Sequence, residues 1–248
     1  MTWGSGQSFA SPMTFETNAQ FSNDWSAGNT STHAITGSVT LNGTTTFNDN
    51  GNALDRRTLT ISGAIGGTGT LSKAGLSKLI LSGTSANTYS GGTTLNHGSI
   101  VLQKTAGLDA IPGDITIGDG SGADTLRLGA SNQIADTAVL SIHGLSSGNS
   151  GKFELNGFDE TVGGITHLGT LSVIQVEETG TGASSTLTVD NATDYTYSGI
   201  IRNNAGGSST LSLSKGGAGT LALQIANATT TYTGNTTVSA GTLQFRNT

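Results

Sequence analysis

Acidic side chains are the first candidates for chemistry in this chain, because acid/base catalysis on a sugar needs carboxyl groups that converge. Two adjacent pairs occur, Asp159-Glu160 and Glu177-Glu178. Neighbours along a strand point to opposite faces, so neither pair forms a catalytic dyad by itself. Stacking of distant strands would be needed to bring together Asp114, Asp136 or Glu154. The sequence favours solvated surface acids, with a polysaccharide-active enzyme as the alternative.

Calcium binding is a second chemistry that the residue types suggest. Residues 120–126, Gly-Ser-Gly-Ala-Asp-Thr-Leu, fit the G-x-G-x-D-x-hydrophobe core of calcium-binding β-roll repeats. Asp124 takes the acidic position, and Asp119 is the other candidate ligand. The ion in such proteins lies between successive turns, so a single copy does not complete a site. We interpret the segment as a Gly-rich corner.

The remaining residue types give no catalytic, metal or cofactor pattern. The chain has no Cys, which excludes disulfides, thiolate zinc sites and a cysteine nucleophile. Composition leaves a Ser-His-Asp triad open, but no Gly-x-Ser-x-Gly elbow lies between a strand and a helix, and no phosphate loop is found. The histidines lack a metal-binding spacing; they are His33, His97, His143 and His167. We expect no catalytic residue, no metal and no cofactor.

Composition narrows the class of protein. Only 10% of the 248 residues are charged, against about 25% in an ordinary soluble domain. Sixteen acids and 10 bases give a net charge of -6, which disfavours nucleic-acid binding. No apolar run approaches the ~18 residues of a membrane-spanning helix, and no signal peptide is visible at the start. Gly, Ser, Thr and Asn make up about half of the chain, which points to ordered, Gly-punctuated β-structure.

The elements that would position any site are short strands. Apolar residues alternate with Thr, Ser or Arg in brief bursts, a period-2 pattern typical of half-buried strands; examples are Val39–Leu41, Leu59–Ile61, Leu126–Leu128 and Leu211–Leu213. Gly and Asn pairs between the bursts supply tight corners. No window shows the periodicity of an amphipathic helix. The pattern fits a sandwich, a barrel or a solenoid.

An internal repeat favours the solenoid. Residues 71–81, L-S-K-A-G-L-S-K-L-I-L, recur as residues 213–223, L-S-K-G-G-A-G-T-L-A-L. Residues 87–95, N-T-Y-S-G-G-T-T-L, recur as residues 230–238, T-T-Y-T-G-N-T-T-V. Each copy is followed by a Gly and one more alternating segment, at residues 98–102 and 241–245. Chance matching in a biased composition does not readily give two such long copies.

The two copies resemble the autotransporter-associated β-strand repeat, also called the passenger-associated transport repeat. The resemblance rests on the order L-x-K-x-G, L-x-L, Y-x-G-x-T and a final Gly before a strand. The first copy departs from the family at Ser77-Lys78, and the second lacks the family Gly and Asn before Tyr232. The resemblance implies an all-β, right-handed parallel β-helix exposed outside a Gram-negative-type cell. Turns of 20–25 residues would give about ten coils.

We expect one solenoid over the whole chain. Its parts are N-terminal coils or a cap (1–65), the first repeat (66–103), linking coils (104–206) and the second repeat (207–248). Neither a signal peptide nor a membrane barrel is expected within these residues. The cap would use aromatic side chains that cluster early in the chain, namely Trp3, Phe9, Phe15, Phe21 and Trp25.

The equivalent lysines and tyrosines of the two copies are the remaining candidates for ligand contacts. For Lys73 and Lys215 we favour outward side chains that stack on, or donate to, a corner carbonyl. For Tyr89 and Tyr232 we favour packing against corners over sugar stacking.

The predicted function is a non-enzymatic extracellular structural or adhesive solenoid, acting as a surface stalk or fibre subunit. Expected partners are other copies of the chain, through end-to-end or lateral contacts, and a host or cell-surface polysaccharide or protein. Nucleic acid and membrane insertion are not expected. A polysaccharide lyase or hydrolase is the alternative.

Overall fold

The chain folds into short strands joined by tight corners. The computed structural model describes residues 6–22, 31–49, 57–146, 149–169, 175–204, 208–224 and 231–246. No helix occurs among them. The strands are β1 (Ser8–Phe9), β2 (Met13–Phe15), β3 (Ala19–Ser22), β4 (Ser31–Ile35), β5 (Val39–Leu41), β6 (Thr45–Asp49), β7 (Arg57–Ile61), β8 (Ile65–Gly67), β9 (Leu71–Gly75), β10 (Lys78–Gly83), β11 (Thr93–Leu95), β12 (Gly98–Lys104), β13 (Ile115–Ile117), β14 (Ala123–Leu128), β15 (Val139–Ser146), β16 (Asn149–Glu154), β17 (Glu160–Val162), β18 (Gly164–Leu168), β19 (Gln175–Glu178), β20 (Ser184–Asp190), β21 (Tyr195–Tyr197), β22 (Ile200–Asn203), β23 (Thr210–Gly216), β24 (Thr220–Gln224), β25 (Thr236–Val238) and β26 (Thr242–Arg246).

The strands stack in parallel on three faces. The first face runs β1-β4-β7-β10-β12-β14-β16-β19-β22, each strand hydrogen-bonded in parallel to the next. The second face carries β2-β5-β8 and later β17-β20-β23-β25, and the third carries β3-β6-β9-β11-β13-β15-β18 and later β21-β24-β26. The stacked coils form an all-β parallel solenoid of about eight turns, which confirms the predicted class and is close to the predicted ten coils.

The length of each turn follows from the register. Lys78 pairs with Thr58 in the preceding turn and with Ser99 in the following one, 20 and 21 positions away along the chain. Asp124 pairs with Gly151, 27 positions away. Turns therefore vary in length at their corners while the strands stay in register. The shorter turns fall within the expected 20–25 residues, and the 27-residue turn exceeds that range.

Alternation along the strands separates the core from the surface. In β12, Ile100 and Leu102 are buried and pair with Leu126 and Leu128 of β14, whereas Val101 between them faces outward. The same alternation recurs in most strands, so that apolar side chains stack into continuous columns inside the solenoid. Burial of these columns is the main favourable term in folding, and it depends on each turn having neighbours.

Gly and Asn occupy corners, as the sequence predicts. Asn156 and Gly157 both adopt a positive φ, 53° and 88°, at the corner after β16. Only residues without a bulky Cβ, or with an Asx side chain, adopt this conformation readily. Gly206-Gly207, another expected corner, lies outside the described residues.

Aromatic side chains fill the interior of the first turns. Phe9 and Phe15 each pack edge-on against Phe21, with ring centroids 6.4 and 6.3 Å apart, and Phe47 of the next turn contacts Phe15 and Phe21. Trp3 and Trp25, which the sequence assigned to the same cluster, lie outside the described residues. None of the segments that the structure describes is a helix long and apolar enough to cross a membrane.

Candidate functional site

Each repeated segment forms one complete turn of the solenoid. In the first, β11 returns beside β9 so that Lys73 pairs with Leu95. In the second, β25 returns beside β23 in the same register, and Lys215 pairs with Val238. The strands that follow the first corner pair in the same way, β10 with β12 and β24 with β26. The repeated unit is therefore one turn plus the strand that begins the next.

The lysine of the first repeat is an internal cross-link between turns. Lys73 is 1% exposed and stacks in an interior column between Phe47 and Leu95. Its Nζ donates to the carbonyl oxygens of Ala74 and Gly75, both at 2.6 Å, and to that of His97 in the next turn, at 3.2 Å. One ammonium thereby satisfies three corner carbonyls.

The lysine of the second repeat makes the same contacts. Lys215 is fully buried, and its Nζ donates to the carbonyl oxygens of Gly216 and Gly217 and, at 3.4 Å, to that of Ala240 in the next turn. Burial lowers the pKa of Lys215, while the carboxylate of Asp190 opposes that shift. Both repeats therefore fix their corner with an inward ammonium group.

A tyrosine–threonine pair closes the other side of each turn. Tyr89 Oη lies 2.6 Å from Thr93 Oγ1, and Tyr232 Oη lies 2.7 Å from Thr236 Oγ1. Tyr89 is 1% exposed, whereas Tyr232 is only partly buried. The spacing Y-x-x-x-T places the two hydroxyls together because the chain turns at the glycine between them.

Glycine is required where the two turns approach each other. Gly98 and Gly241 both have a positive φ, 82° and 64°. A Cβ at Gly98 would lie 2.5 Å from the carbonyl oxygen of Gly75, and one at Gly241 would lie 2.3 Å from that of Gly219. No other residue fits these positions without backbone movement.

Two carboxyl groups of the linking region are buried near the starts of their strands, Asp124 in β14 and Glu160 in β17. Glu160 accepts hydrogen bonds from the backbone N–H groups of Gln133, Ile134 and Thr161. Its burial raises its pKa to about 8, although these bonds oppose the shift. The pKa of Asp124 is raised to about 7, first by burial and then by the nearby Asp119 carboxylate, against the opposing effect of the Lys73 ammonium.

Charged side chains are concentrated on the outside of the first face. The register aligns Arg127 of β14 with Glu154 of β16, Glu177 of β19 and Arg202 of β22, and Lys152 of β16 lies beside them. We call these five residues the charged row. In a chain that is only 10% charged, this is an unusual local concentration.

Ion pairs connect the whole charged row. Arg127 Nε and Nη2 both lie 2.5 Å from Glu154 Oε2, and Lys152 Nζ lies 3.5 Å from a carboxylate oxygen of each glutamate. Arg202 Nη2 lies 3.2 Å from Glu177 Oε1. The glutamate side chains are 6% and 5% exposed, against 46% for Arg127, 32% for Lys152 and 29% for Arg202. The cations are therefore the outermost groups.

An open depression adjoins the charged row. Its lining residues come from four successive strands, β10, β12, β14 and β16, and are Lys78, Ser99, Val101, Thr125, Arg127 and Glu154. The depression brings two hydroxyl groups, two cations and a carboxylate together on this face.

Sequence comparison bears on the two repeats. The family model of the passenger-associated transport repeat matches residues 71–102 and 213–245. The chain carries two passenger-associated transport repeats. No curated protein and no solved structure matches the chain significantly. The repeat and the stacked-coil fold together fit the passenger region of an autotransporter.

The lysines and tyrosines of the two passenger repeats make hydrogen bonds within the solenoid itself. The predicted hydrogen bond from each lysine to corner carbonyls is confirmed, but the predicted outward orientation is wrong. In L-x-K the lysine shares the inward face of the leucine two positions earlier, Leu71 or Leu213, since side chains in a strand alternate. The L-x-K spacing predicts an inward lysine. The positive charge of the lysine led to the opposite prediction.

The structure brings together only some of the predicted acidic and calcium candidates: Glu154 pairs with Glu177 on the first face, and Asp119 lies near Asp124. Glu154 lies on the first face, whereas Asp114 and Asp136 precede strands of the third. Asp119 Oδ1 accepts from the Ser121 N–H at 2.8 Å, which makes a local turn within the Gly-rich segment. Among the residues that the structure describes, no three His, Asp or Glu side chains are grouped to hold a metal ion.

The sequence reasoning named Glu154 and Glu177 as candidate acids but missed the charged row that they form with Arg127, Lys152 and Arg202. Its members are separated by 23 to 27 positions along the chain, as Arg127↔Glu154, Glu154↔Glu177 and Glu177↔Arg202 show. Charges that recur once per turn length, in a chain with few charges, are a signal that could have identified it.

Proposed function

We propose that this chain is a non-enzymatic structural segment of an autotransporter passenger, displayed at the surface of a Gram-negative-type cell as a stalk with an adhesive face. The contacts that the repeat residues make inside the solenoid support this proposal most directly. The lysine, the tyrosine and the glycine before the last strand of each repeat are engaged in corner contacts. These residues serve the stacking of turns.

Self-association is part of this proposal. Strands β25 and β26 each pair with one neighbour among the described residues, and Val238 and Phe245 are 49% and 57% exposed. A further parallel turn would cover these side chains and satisfy the free edge. We propose that a second copy of the chain can stack end to end on β25 and β26, through the exposed Val238 and Phe245.

Sedimentation velocity and negative-stain electron microscopy test the structural proposal. Eight turns at about 4.8 Å each give a particle about 40 Å long. We expect sedimentation coefficients that rise with concentration, and rods whose lengths are multiples of the single particle. The variant Phe245→Glu would shift the population to single particles, because it places charge on the proposed contact. Single particles at every concentration for both proteins would contradict self-association.

A polysaccharide-active enzyme is the second candidate, and the charged row is the observation that favours it. Glu154 and Glu177 lie on successive turns with Lys152 in contact with both. Paired carboxylates beside a cation are the groups that acid/base cleavage of a sugar uses. Release of reducing ends or unsaturated sugars from acidic polysaccharides, abolished in Glu154→Gln and Glu177→Gln, would establish the enzyme and contradict the non-enzymatic proposal.

A further inference from the structure

Cations on one outer face set the charged row apart from the rest of the surface. The chain has 10 Lys and Arg residues and a net charge of -6. Three of these cations belong to the charged row, and Lys78 of the adjoining depression is a fourth. Three others, Lys73, Lys104 and Lys215, have buried side chains. The first face is thus locally cationic on an acidic protein, and it would attract anions.

The exposure of these cations indicates that the ligand is negatively charged. The two glutamates are nearly covered, while the side chains of Arg127, Lys152 and Arg202 are 29% to 46% exposed. The glutamates hold the cations in place and neutralise part of their charge. Guanidinium groups bind carboxylates and similar oxyanions with two parallel hydrogen bonds, and the side chains of Arg127 and Arg202 are 46% and 29% exposed.

The geometry of the face determines the shape of the ligand. Successive strands are about 4.8 Å apart. Lys78 lies on β10 and Arg202 on β22, five strands further along the first face, so the cationic strip extends about 24 Å parallel to the solenoid axis. A linear polymer with repeated negative charges fits such a strip better than a small ion does.

Neutral polar groups on the same face determine the chemical class. Ser99 and Thr125 line the depression, and Gln175 lies beside Arg202, whose Nη2 donates to its Oε1 at 3.1 Å. Hydroxyl, amide and carboxylate groups next to cations match a ligand that carries both hydroxyls and acid groups. In the described strands of this strip, β10 to β22, no outward side chain is aromatic, so the stacking platforms that single-stranded nucleic acids use are missing here.

We propose that the charged row and the adjoining depression bind an acidic polysaccharide that lies along the solenoid axis. The inference deepens the adhesive part of the proposed function and rests on it for its biological setting. It does not depend on self-association, because the strip lies on a lateral face and Phe245 lies on the third face near the end of the stack. Loss of one property is therefore distinguishable from loss of the other.

Isothermal titration with polygalacturonate oligomers tests the proposal, with dextran as the neutral sugar and poly(dT) as the nucleic acid. We expect polygalacturonate to bind at low ionic strength and to weaken at least threefold between 20 and 150 mM salt, because exposed charges are screened. Dextran should show no heat of binding, and poly(dT) should bind at least tenfold more weakly than polygalacturonate.

Matched variants localise the binding. Arg127→Gln should weaken binding of polygalacturonate five- to tenfold, whereas Arg246→Gln, the same change on β26 of the third face, should stay within twofold. The double variant Arg127→Gln/Glu154→Gln removes the ion pair without leaving a buried carboxylate unpaired, and it should fold and still bind weakly. Equal losses for Arg127→Gln and Arg246→Gln, binding of poly(dT) as tight as that of polygalacturonate, or no binding of polygalacturonate would each overturn the proposal.

Discussion

The two passenger repeats make the same contacts in different surroundings. Lys73 is stacked between buried side chains of the turns before and after it. Lys215 is stacked against Val238 of the next turn, and Val238 is half exposed. Tyr89 is buried, and its counterpart Tyr232 is only partly so. The identical hydrogen bonds show that the repeat sequence specifies a local corner. Neighbouring turns then determine how much free energy that corner contributes.

The two repeats also occupy different corners of the solenoid. The first repeat passes from the third face to the first, through β9 and β10. The second passes from the second face to the third, through β23 and β24. The equivalent side chains of the two repeats therefore lie at different faces of the molecule. This is expected of residues that stabilise a turn, whereas residues of one ligand site would share a face.

Core truncation should give the largest difference between the repeats. Leu79→Ala should lower the free energy of unfolding by about 3–5 kcal/mol, and Leu221→Ala by about 2–3 kcal/mol. Leu79 stacks on the fully buried Ile100 of the following turn, whereas Leu221 stacks on Leu243, which is only partly buried. Urea denaturation measures both. Leu168→Ala is the matched control, since Leu168 is 41% exposed and should lose less than about 1 kcal/mol. A near-neutral Leu79→Ala would place that residue outside the core.

Raising the pH should destabilise the middle of the solenoid. Asp124 and Glu160 have pKa values of about 7 and 8 in the folded chain, above their ordinary values, so the folded state holds protons that the unfolded state has released. Their unfavourable contribution is absent below about pH 4 and grows as the pH rises to 8. We expect Tm to fall by several degrees between pH 5 and pH 8.5. Asp124→Asn should reduce that fall, and an unchanged pH dependence would contradict the assignment.

Removing the buried ammonium groups should have a smaller effect. Lys73→Met keeps the apolar stem but leaves three corner carbonyls without a donor, and we expect a loss of about 2–3 kcal/mol. Lys215→Met should cost about 1 kcal/mol, because water reaches the last turn more easily. Equal losses, measured by urea denaturation, would show that the surroundings do not matter.

Removing the tyrosine hydroxyls should have the smallest effect. Tyr89→Phe deletes a buried hydrogen bond to Thr93, and we expect a loss of about 1 kcal/mol. Tyr232→Phe deletes the equivalent bond at an exposed place, so thermal denaturation should show almost no change. A larger loss of stability in Tyr232→Phe than in Tyr89→Phe would contradict the conclusion that the first repeat is the more deeply buried one.

Much of the fold was predictable from the sequence because its pattern is local. Alternation identified inward residues such as Leu126 and Leu128, and the repeat identified stacked turns. The inward direction of Lys73 was predictable in principle from its spacing to Leu71, but a buried ammonium is rare and needs three carbonyl partners that only the folded corner supplies.

The charged row could not be predicted because register is a property of the stacked turns. Arg127, Glu154 and Glu177 meet only if the intervening corners have the lengths that bring their strands into line. A shift of one residue in any of those strands would turn the side chain to the interior. The sequence shows the charges, and the lengths of the corners decide whether they face one another.

Residue-resolved amide hydrogen exchange, at a concentration where the chain is a single particle, tests most directly whether surroundings distinguish the two repeats. We predict that amides of β10, β11 and β12 in the first repeat exchange only through global unfolding, while those of β25 and β26 exchange through local opening at least a hundredfold faster. Equal protection of the two sets, or stronger protection of β25 and β26, would contradict this account.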